Sequence, residues 1–197
     1  MVTLAVAGVL FGVGVPNFVE FQRNGAMTAA ANDLVTGALL ARSEALKLQG
    51  TPPVVLCLSS NPLDATPLCD LAAVADAGDR GFIVWVDTDS GLDYDAGETV
   101  LMRSPAPGGT VRVSSNCPHV AYGANGFSRS VGSACFPTLH NFLYCDGRGL
   151  RVTSGATSSA RIVLVDLPGR PQVLSDLAAV SARIGTNAAT QVDGTCP

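Results

Sequence analysis

The chain has 197 residues, of which 47% are hydrophobic and 14% are charged, and its formal net charge is -4. This length is enough for one domain with a hydrophobic core plus an extension. The composition excludes an intrinsically disordered chain, and the negative net charge argues against a protein that coats nucleic acid.

The first fifteen residues are almost entirely apolar and carry no charge. We expect a helix here, because inside a bilayer every backbone polar group has to be paired within the segment itself. The residues of this predicted membrane segment are Val2, Leu4, Val6, Val9, Leu10, Phe11, Val13 and Val15. The segment is shorter than the about 20 residues that a membrane span needs. Two interpretations remain, a helix buried in a core or a span that begins upstream of Met1.

The helix is predicted to continue to residue 49, with a kink at Pro16. An apolar stripe with helical spacing consists of Met27, Ala31, Leu34, Ala38, Ala41, Ala45 and Leu48. The opposite face carries Asn32, Asp33, Arg42, Glu44 and Lys47. Gly50 and Pro52 are predicted to end the helix. A helix of this length reaches about 70 Å, so part of it must protrude from a domain of the remaining residues.

After Pro53 the sequence pattern changes to that of β-strands separated by Gly and Pro. The predicted strands are Val54–Leu58, Gly81–Val86, Thr99–Arg103, Thr110–Val113, His119–Tyr122, Leu139–Cys145 and Arg161–Asp166. A cysteine-containing loop at 59–80 and one short helix at 175–184 complete the pattern. The fold class is therefore α+β, a long N-terminal helix (1–49) packed on an antiparallel β domain (50–197).

The six cysteines are Cys57, Cys69, Cys117, Cys135, Cys145 and Cys196. No pair has the Cys-x-x-Cys spacing that zinc sites and thioredoxin-like redox sites usually need. The even count favours a disulfide framework in an oxidising compartment. Proximity in sequence suggests the pairs 57–69 and 117–135, which leaves 145–196, although sequence alone cannot choose among the possible pairings.

Several segments form a series when they are taken in chain order. They are Val15-Pro16, residues 28–34 and 38–47 of the helix, residues 54–59, 81–87 and 95–98, and the closing stretches 142–146, 160–165 and 169–170. In this order they resemble the GspH/FimT-type minor pilins and pseudopilins of the type IV pilin superfamily, over residues 15–172. The resemblance implies a pilin-like fold, with a long N-terminal helix and a β-rich globular domain.

The resemblance also implies a function. A protein of this kind is a non-enzymatic structural subunit of a type IV pilus or of a type II secretion pseudopilus, involved in filament assembly and protein secretion. It would be anchored in the inner membrane by a single span, with its β domain in the periplasm. Its partners would be other pilin or pseudopilin subunits, the inner-membrane assembly platform and membrane lipid. The hairpin with Trp85 and the cysteine pattern lean toward the pilus.

The start of the chain differs from the family pattern. Family members begin with a short basic leader, a Gly at which prepilin peptidase cleaves, and then Phe-Thr-Leu-Ile-Glu. The residues Met1-Val-Thr-Leu would fall just after that Glu. We therefore expect the full protein to start upstream, with a span of normal length, because the chain as printed offers neither the cleavage site nor the residue that is N-methylated.

An acidic stretch lies between the second and third predicted strands. Its carboxylates occupy positions 1, 3, 7, 9 and 12 of an EF-hand-like loop, namely Asp87, Asp89, Asp93, Asp95 and Glu98. However, Gly91 and Leu92 stand where such a loop has an acid and a Gly, and strands instead of helices flank it. The alternative interpretation is a solvated hairpin turn that binds no calcium.

Four arginines crowd the closing strands, Arg148, Arg151, Arg161 and Arg170. Some members of the family that take part in DNA uptake carry a Gly-Arg-x-Arg motif in this region, whereas residues 169–172 here lack its second Arg. The alternative function is therefore a DNA-uptake minor pilin whose arginines contact phosphates. The negative net charge and the acidic residues among these arginines favour ordinary solvated strand ends instead.

No catalytic motif stands out in the sequence. Gly-x-Ser-x-Gly, His-Glu-x-x-His and P-loop patterns are absent. His119 and His140 are the two histidines, and a lone His in a β-rich domain is more often structural than catalytic. We expect neither an enzyme nor a cofactor.

Overall fold

The computed structural model describes residues 2–49, 52–70, 74, 76–129, 139–185 and 191–192. The helices are α1 (Val2–Leu48) and α2 (Leu177–Ser181). The strands are β1 (Val54–Ser59), β2 (Gly81–Val86), β3 (Thr99–Ser104), β4 (Arg112–Ser115), β5 (His119–Tyr122), β6 (Ser128–Arg129), β7 (His140–Cys145), β8 (Val152–Ser154), β9 (Thr157–Val165) and β10 (Pro171–Asp176). This arrangement confirms the predicted α+β class.

The strands form two antiparallel sheets. The first has the order β3-β2-β1-β5-β6, and the second has the order β10-β9-β7-β4 with β8 paired to β9. In the first sheet β1 is central, with Val55 opposite Trp85 on one side and Ala121 on the other. Every residue of β1 is buried, which explains why residues 54–58 are continuously apolar instead of alternating.

The C-terminal half of α1 packs on both sheets and closes the main hydrophobic core. Six members of the predicted stripe are buried, namely Met27, Ala31, Leu34, Ala38, Ala41 and Ala45. The prediction is wrong for Leu48, which is 44% exposed. Leu48 lies in the last turn, directly before Gln49, whose φ of 49° is left-handed and ends the helix.

Small residues on α1 allow the helix to approach the first sheet closely. Gly37 is buried against the ring of Phe82, and a methyl group at Gly37 would overlap that ring. The core on this side is completed by Leu56, Val84 and Tyr122. The helix is thus fixed to the sheet by side-chain packing and by the absence of a side chain at one point of contact.

The predicted strands agree with the structure at five positions and differ at two. The strand predicted at 110–113 lies at Arg112–Ser115, and the strand predicted at 161–166 lies at Thr157–Val165. Strands β6, β8 and β10 were not predicted from the sequence. The helix predicted at 175–184 is shorter, because Ser175 and Asp176 still belong to β10, and the Asp176 carboxylate accepts hydrogen bonds from the first turn of α2.

Each sheet has a second apolar cluster on its far side. Behind the second sheet, Leu143 and Ile162 pack against Val180 of α2. Behind the first sheet, Trp85 and its neighbours are covered by the loop between β2 and β3. The division of the chain into domains at residues 49 and 50 stays a prediction.

Candidate functional site

One face of α1 points away from the sheets and exposes large apolar side chains. Phe18 is 60% exposed and Phe21 is 73% exposed, and Val15 is also exposed. Glu20 faces the β domain, because its carboxylate lies 3.7 Å from Arg148. Phe18 lies about half a helical turn away from Glu20 and therefore faces the opposite way. Exposed phenylalanines cost free energy in water, so this outward face is the first candidate for a contact surface.

No role for Phe18 and Phe21 was predicted from the sequence. The signal for them was present, since both are large apolar residues that alternate with the polar Asn17, Glu20 and Gln22 just after Pro16. They do not belong to the stripe that begins at Met27, because 3.6 residues per turn places them on the opposite side of the helix.

Arg148 holds this part of α1 to the β domain. Its Nη1 donates a hydrogen bond to Asn24 Oδ1 at 2.8 Å, and it lies 3.7 Å from Glu20 Oε1. Its Nε donates to both carboxylate oxygens of Asp146, each at 3.0 Å. Burial alone would raise the pKa of Asp146, but the hydrogen bonds and charge of Arg148 hold it below its ordinary value.

The four predicted phosphate-binding arginines do not share one surface. Arg161 is buried, as is the side chain of Arg148, and Arg161 Nη1 donates to the backbone carbonyls of Ser158 and Ala160. Arg170 is exposed and pairs with Asp166 at 2.8 Å. Arg151 is exposed and lines a cleft of about 190 Å³ together with Val19, Glu20, Arg23 and Arg148.

The loop between β2 and β3 brings three of the five predicted acidic residues together. One carboxylate oxygen from each of Asp87, Asp89 and Glu98 lies within 4.8 Å of the others. Asp93 and Asp95 lie outside this cluster, although the negative charge of Asp89 raises the pKa of Asp95. The three clustered residues are the described side chains best placed to bind a cation.

The acidic loop is fastened to the far side of the first sheet. Leu92 and Tyr94 pack on the apolar cluster around Trp85, and the Tyr94 ring meets the Trp85 ring edge to face, with 6.5 Å between the centroids. Leu92 adopts a left-handed φ of 69°. The loop is therefore packed against the domain through Leu92 and Tyr94, while its acidic residues Asp89, Asp93 and Asp95 stay exposed.

The disulfide between Cys57 and Cys69 is present, as predicted. It joins central strand β1 to the loop at 59–80, which is further held by Arg80, whose Nε donates to Asp70 Oδ2 at 2.6 Å. Cys117 and Cys145 are also disulfide-bonded. Cys135 and Cys196 lie outside the described residues, so the pairings predicted for them stay predictions.

The two histidines are both buried. His140 is 1% exposed, and neither of its ring nitrogens has a hydrogen-bond partner within the described part of the chain. Burial lowers the pKa of His140 to about 4, and nearby His119 adds to this effect. A neutral, buried imidazole suits a structural role.

The predicted membrane segment and its kink lie at the start of α1. The helix runs through Pro16 without interruption. The side chains of residues 2, 4–14 and 16 lie outside the described part, and Val15 is 54% exposed. Among the described residues, no helix combines the length and the apolarity required to cross a bilayer.

Comparison with protein families gives one match. The family model for the type II transport protein GspH matches residues 30–169, which run from α1 to the turn before β10 and cover more than half of the chain. Comparisons with curated proteins and with solved structures find no match. The chain therefore belongs to the GspH family of type II transport proteins.

Proposed function

We propose that this protein is a non-enzymatic minor subunit of a type II secretion pseudopilus. The family match supports this proposal, and the exposed apolar face of α1 around Phe18 and Phe21 is the observation that carries it. In a filament of such subunits, this face packs against α1 of neighbouring copies or partner subunits, which removes the phenylalanines from water. The β domain then forms the outer surface.

The proposed location is the inner membrane, with the first residues of α1 as the anchor and the β domain in the periplasm. The disulfide between Cys57 and Cys69 supports an oxidising compartment for the β domain. Before assembly the apolar start of α1 contacts lipid, and the assembly platform transfers the subunit into the filament. Lipid contact is thereby exchanged for contact with other subunits.

The test replaces the outward phenylalanines. The double variant Phe18→Ser and Phe21→Ser should keep its unfolding temperature, because both side chains are already exposed. It should lose crosslinks to other pseudopilin subunits and reduce secretion. The matched control is Gln22→Ser, an exposed polar residue on the same face. Normal crosslinks and normal secretion in the double variant would contradict the proposal.

The choice between the two filament systems has its own measurement. A subunit of a secretion pseudopilus should affect export of folded proteins, whereas a pilus subunit should affect pilus number and twitching. Deletion of the gene followed by both assays separates them. Loss of pili with intact secretion would contradict the proposed pseudopilus and indicate that the protein is a subunit of a type IV pilus.

The DNA-uptake alternative needs variants that do not disturb the fold. Arg148 is unsuitable, because it holds α1 to the β domain through Asn24 and Asp146. Arg151→Ala with Arg170→Ala removes two exposed cations instead. A salt-dependent DNA mobility shift that this pair abolishes would favour DNA binding, and no shift at low salt would reject it.

A further inference from the structure

The acidic cluster in the loop between β2 and β3 has a geometry that suits one cation. Two oxygens that bind the same Ca²⁺ at about 2.4 Å each can be at most about 4.8 Å apart. The clustered oxygens of Asp87, Asp89 and Glu98 satisfy this limit. Asp87 directly follows β2 and Glu98 directly precedes β3, so paired strands fix both ends of the cluster.

The burial of Asp87 is a second and independent observation. Asp87 is 0% exposed, and its Oδ1 has no hydrogen-bond partner among the described residues. Its Oδ2 accepts a hydrogen bond from Leu92 N at 3.1 Å. A buried carboxylate oxygen without a partner is costly, and the nearby Asp89 and Glu98 are carboxylates that disfavour its charge further.

The electrostatics of the loop point the same way. Burial disfavours the charged form of the Asp87 carboxylate, and the nearby Glu98 and Asp89 side chains disfavour it further, whereas the hydrogen bond from Leu92 N offsets only part of this cost. None of the salt bridges between described residues involves Asp87, Asp89 or Glu98. A bound cation would satisfy the buried oxygen and cancel the repulsion among three carboxylates at once.

The loop already holds these carboxylates in place. Glu98 Oε1 accepts hydrogen bonds from Thr88 N at 2.6 Å and from Thr88 Oγ1 at 3.1 Å, and its Oε2 accepts one from Asp95 N at 3.0 Å. Asp89 Oδ1 accepts one from Gly91 N at 2.8 Å. The Asp89 and Glu98 side chains therefore lose little conformational freedom when an ion binds, which favours binding.

We propose that Asp87, Asp89 and Glu98 bind a calcium ion, with loop carbonyls and water as the remaining oxygen ligands. Calcium takes six to eight oxygens in flexible geometry, whereas Mg²⁺ usually uses one or two carboxylates and keeps several waters. The site belongs to the β domain and does not depend on the proposed filament function. Its role is to fix the loop that covers Trp85.

The test titrates the purified full chain with CaCl₂ after removal of metals with a chelator. Calorimetry should give one site per chain with a Kd of about 10⁻⁴ to 10⁻³ M, the range of extracellular calcium modules. Trp85 is the one tryptophan of the sequence, and Tyr94 in the loop contacts its ring. Tryptophan fluorescence should therefore change with the same midpoint, and Ca²⁺ should raise the unfolding temperature.

Three variants test which residues bind the ion. Asp89→Asn and Glu98→Gln should each weaken calcium binding at least about tenfold, in line with loss of a charged ligand. The matched control is Asp93→Asn, which removes the same charge from the same loop outside the cluster. It should bind calcium within about twofold of the original protein. Unfolding temperatures in chelator establish that each variant is folded.

Several outcomes would overturn the proposal. One is the absence of heat, fluorescence change and thermal shift at calcium concentrations about tenfold above the expected range. Another is an equal loss of binding in Asp93→Asn, which would indicate diffuse attraction by the acidic loop without a built site. A third outcome combines two measurements: Asp87→Asn has a higher unfolding temperature in chelator than the original protein, and calcium does not change the unfolding temperature of the original protein. This result would mean that a proton or a water molecule satisfies the buried oxygen of Asp87, and not calcium.

Discussion

Arg148 and Asp146 form an ion pair in which both side chains are almost completely buried, 8% and 1% exposed. The pair lies just after β7, and the same guanidinium reaches Asn24 on α1. A buried charge that loses its partner is strongly unfavourable, whereas an exposed pair contributes little. The contact between Arg148 and Asn24, which are far apart in sequence, therefore joins α1 to the β domain.

The first prediction is that Arg148→Met strongly destabilises the protein. Methionine keeps much of the side-chain volume but leaves Asp146 as an unpaired buried carboxylate, so we expect a loss of about 3–5 kcal/mol in the free energy of unfolding. The matched control is Arg170→Met. Arg170 pairs with Asp166 at the same 2.8 Å but is 62% exposed, so we expect a loss of less than about 1 kcal/mol. Urea denaturation measures both.

The pH dependence gives this prediction a second readout. Arg148 lowers the pKa of Asp146 in the folded state, so the stability of the pair is present above the unfolded carboxyl pKa and falls as pH drops below it. In Arg148→Met the buried carboxyl instead gains a proton more readily when folded. The difference in free energy of unfolding between the original protein and Arg148→Met should therefore become smaller below about pH 4. A difference that stays constant with pH would contradict this account.

Sequence patterns predicted the fold well where the periodicity was strong. The long helix and the continuous apolar strand at Val54 were found because burial on one or both faces leaves a clear pattern. Strand β10 was missed because it begins at Pro171 and carries mixed polar residues, which suits an edge strand. The short strands β6 and β8 have too few residues to form a pattern.

The candidate site was only partly predictable for a different reason. The spacing of Asp87, Asp89 and Glu98 gave a correct indication that carboxylates gather in this loop. It could not show that Leu92 and Tyr94 pack on the sheet around Trp85. This packing leaves the neighbouring Asp93 and Asp95 outside the cluster of Asp87, Asp89 and Glu98. Tertiary contacts of this kind decide which oxygens meet, and local spacing does not contain them.

The second prediction concerns the disulfide between Cys57 and Cys69. The bond closes a loop with a sequence separation of 12 residues, and its removal in the double variant Cys57→Ala and Cys69→Ala should lower the free energy of unfolding by about 3 kcal/mol. Guanidinium denaturation of both proteins under non-reducing conditions checks this value. An unchanged midpoint would mean that the pair between Arg80 and Asp70 already fixes the loop.

The third prediction is a pH-dependent loss of stability caused by His140. Its pKa is lowered to about 4 in the folded protein, compared with about 6.5 when unfolded. Stability should therefore be complete above about pH 6.5 and fall by at most about 3 kcal/mol as pH drops to 4. His140→Phe should flatten this part of the curve, since it removes the titrating group from a buried site. The same slope in both proteins would exclude His140 as the cause.

The last prediction uses two glycines of α1 as a matched pair. A methyl group at Gly37 would overlap the Phe82 ring, which is itself buried and 3% exposed, whereas a methyl group at Gly25 meets nothing within 4 Å. Gly37→Ala should therefore lower the free energy of unfolding by about 1–3 kcal/mol through overpacking. Gly25→Ala should raise it by about 0.5–1 kcal/mol, because alanine loses less backbone entropy in an exposed helix.

Thermal and urea unfolding of the two alanine variants measure these opposite signs. Helix propensity is the same at both positions, so the difference between them isolates the contact between Gly37 and Phe82 from the intrinsic effect of the substitution. Phe82→Leu in the Gly37→Ala background should recover part of the loss, because the smaller side chain leaves room for the methyl group. If both alanine variants are more stable than the original protein, then α1 does not approach the first sheet as closely as the structure places it.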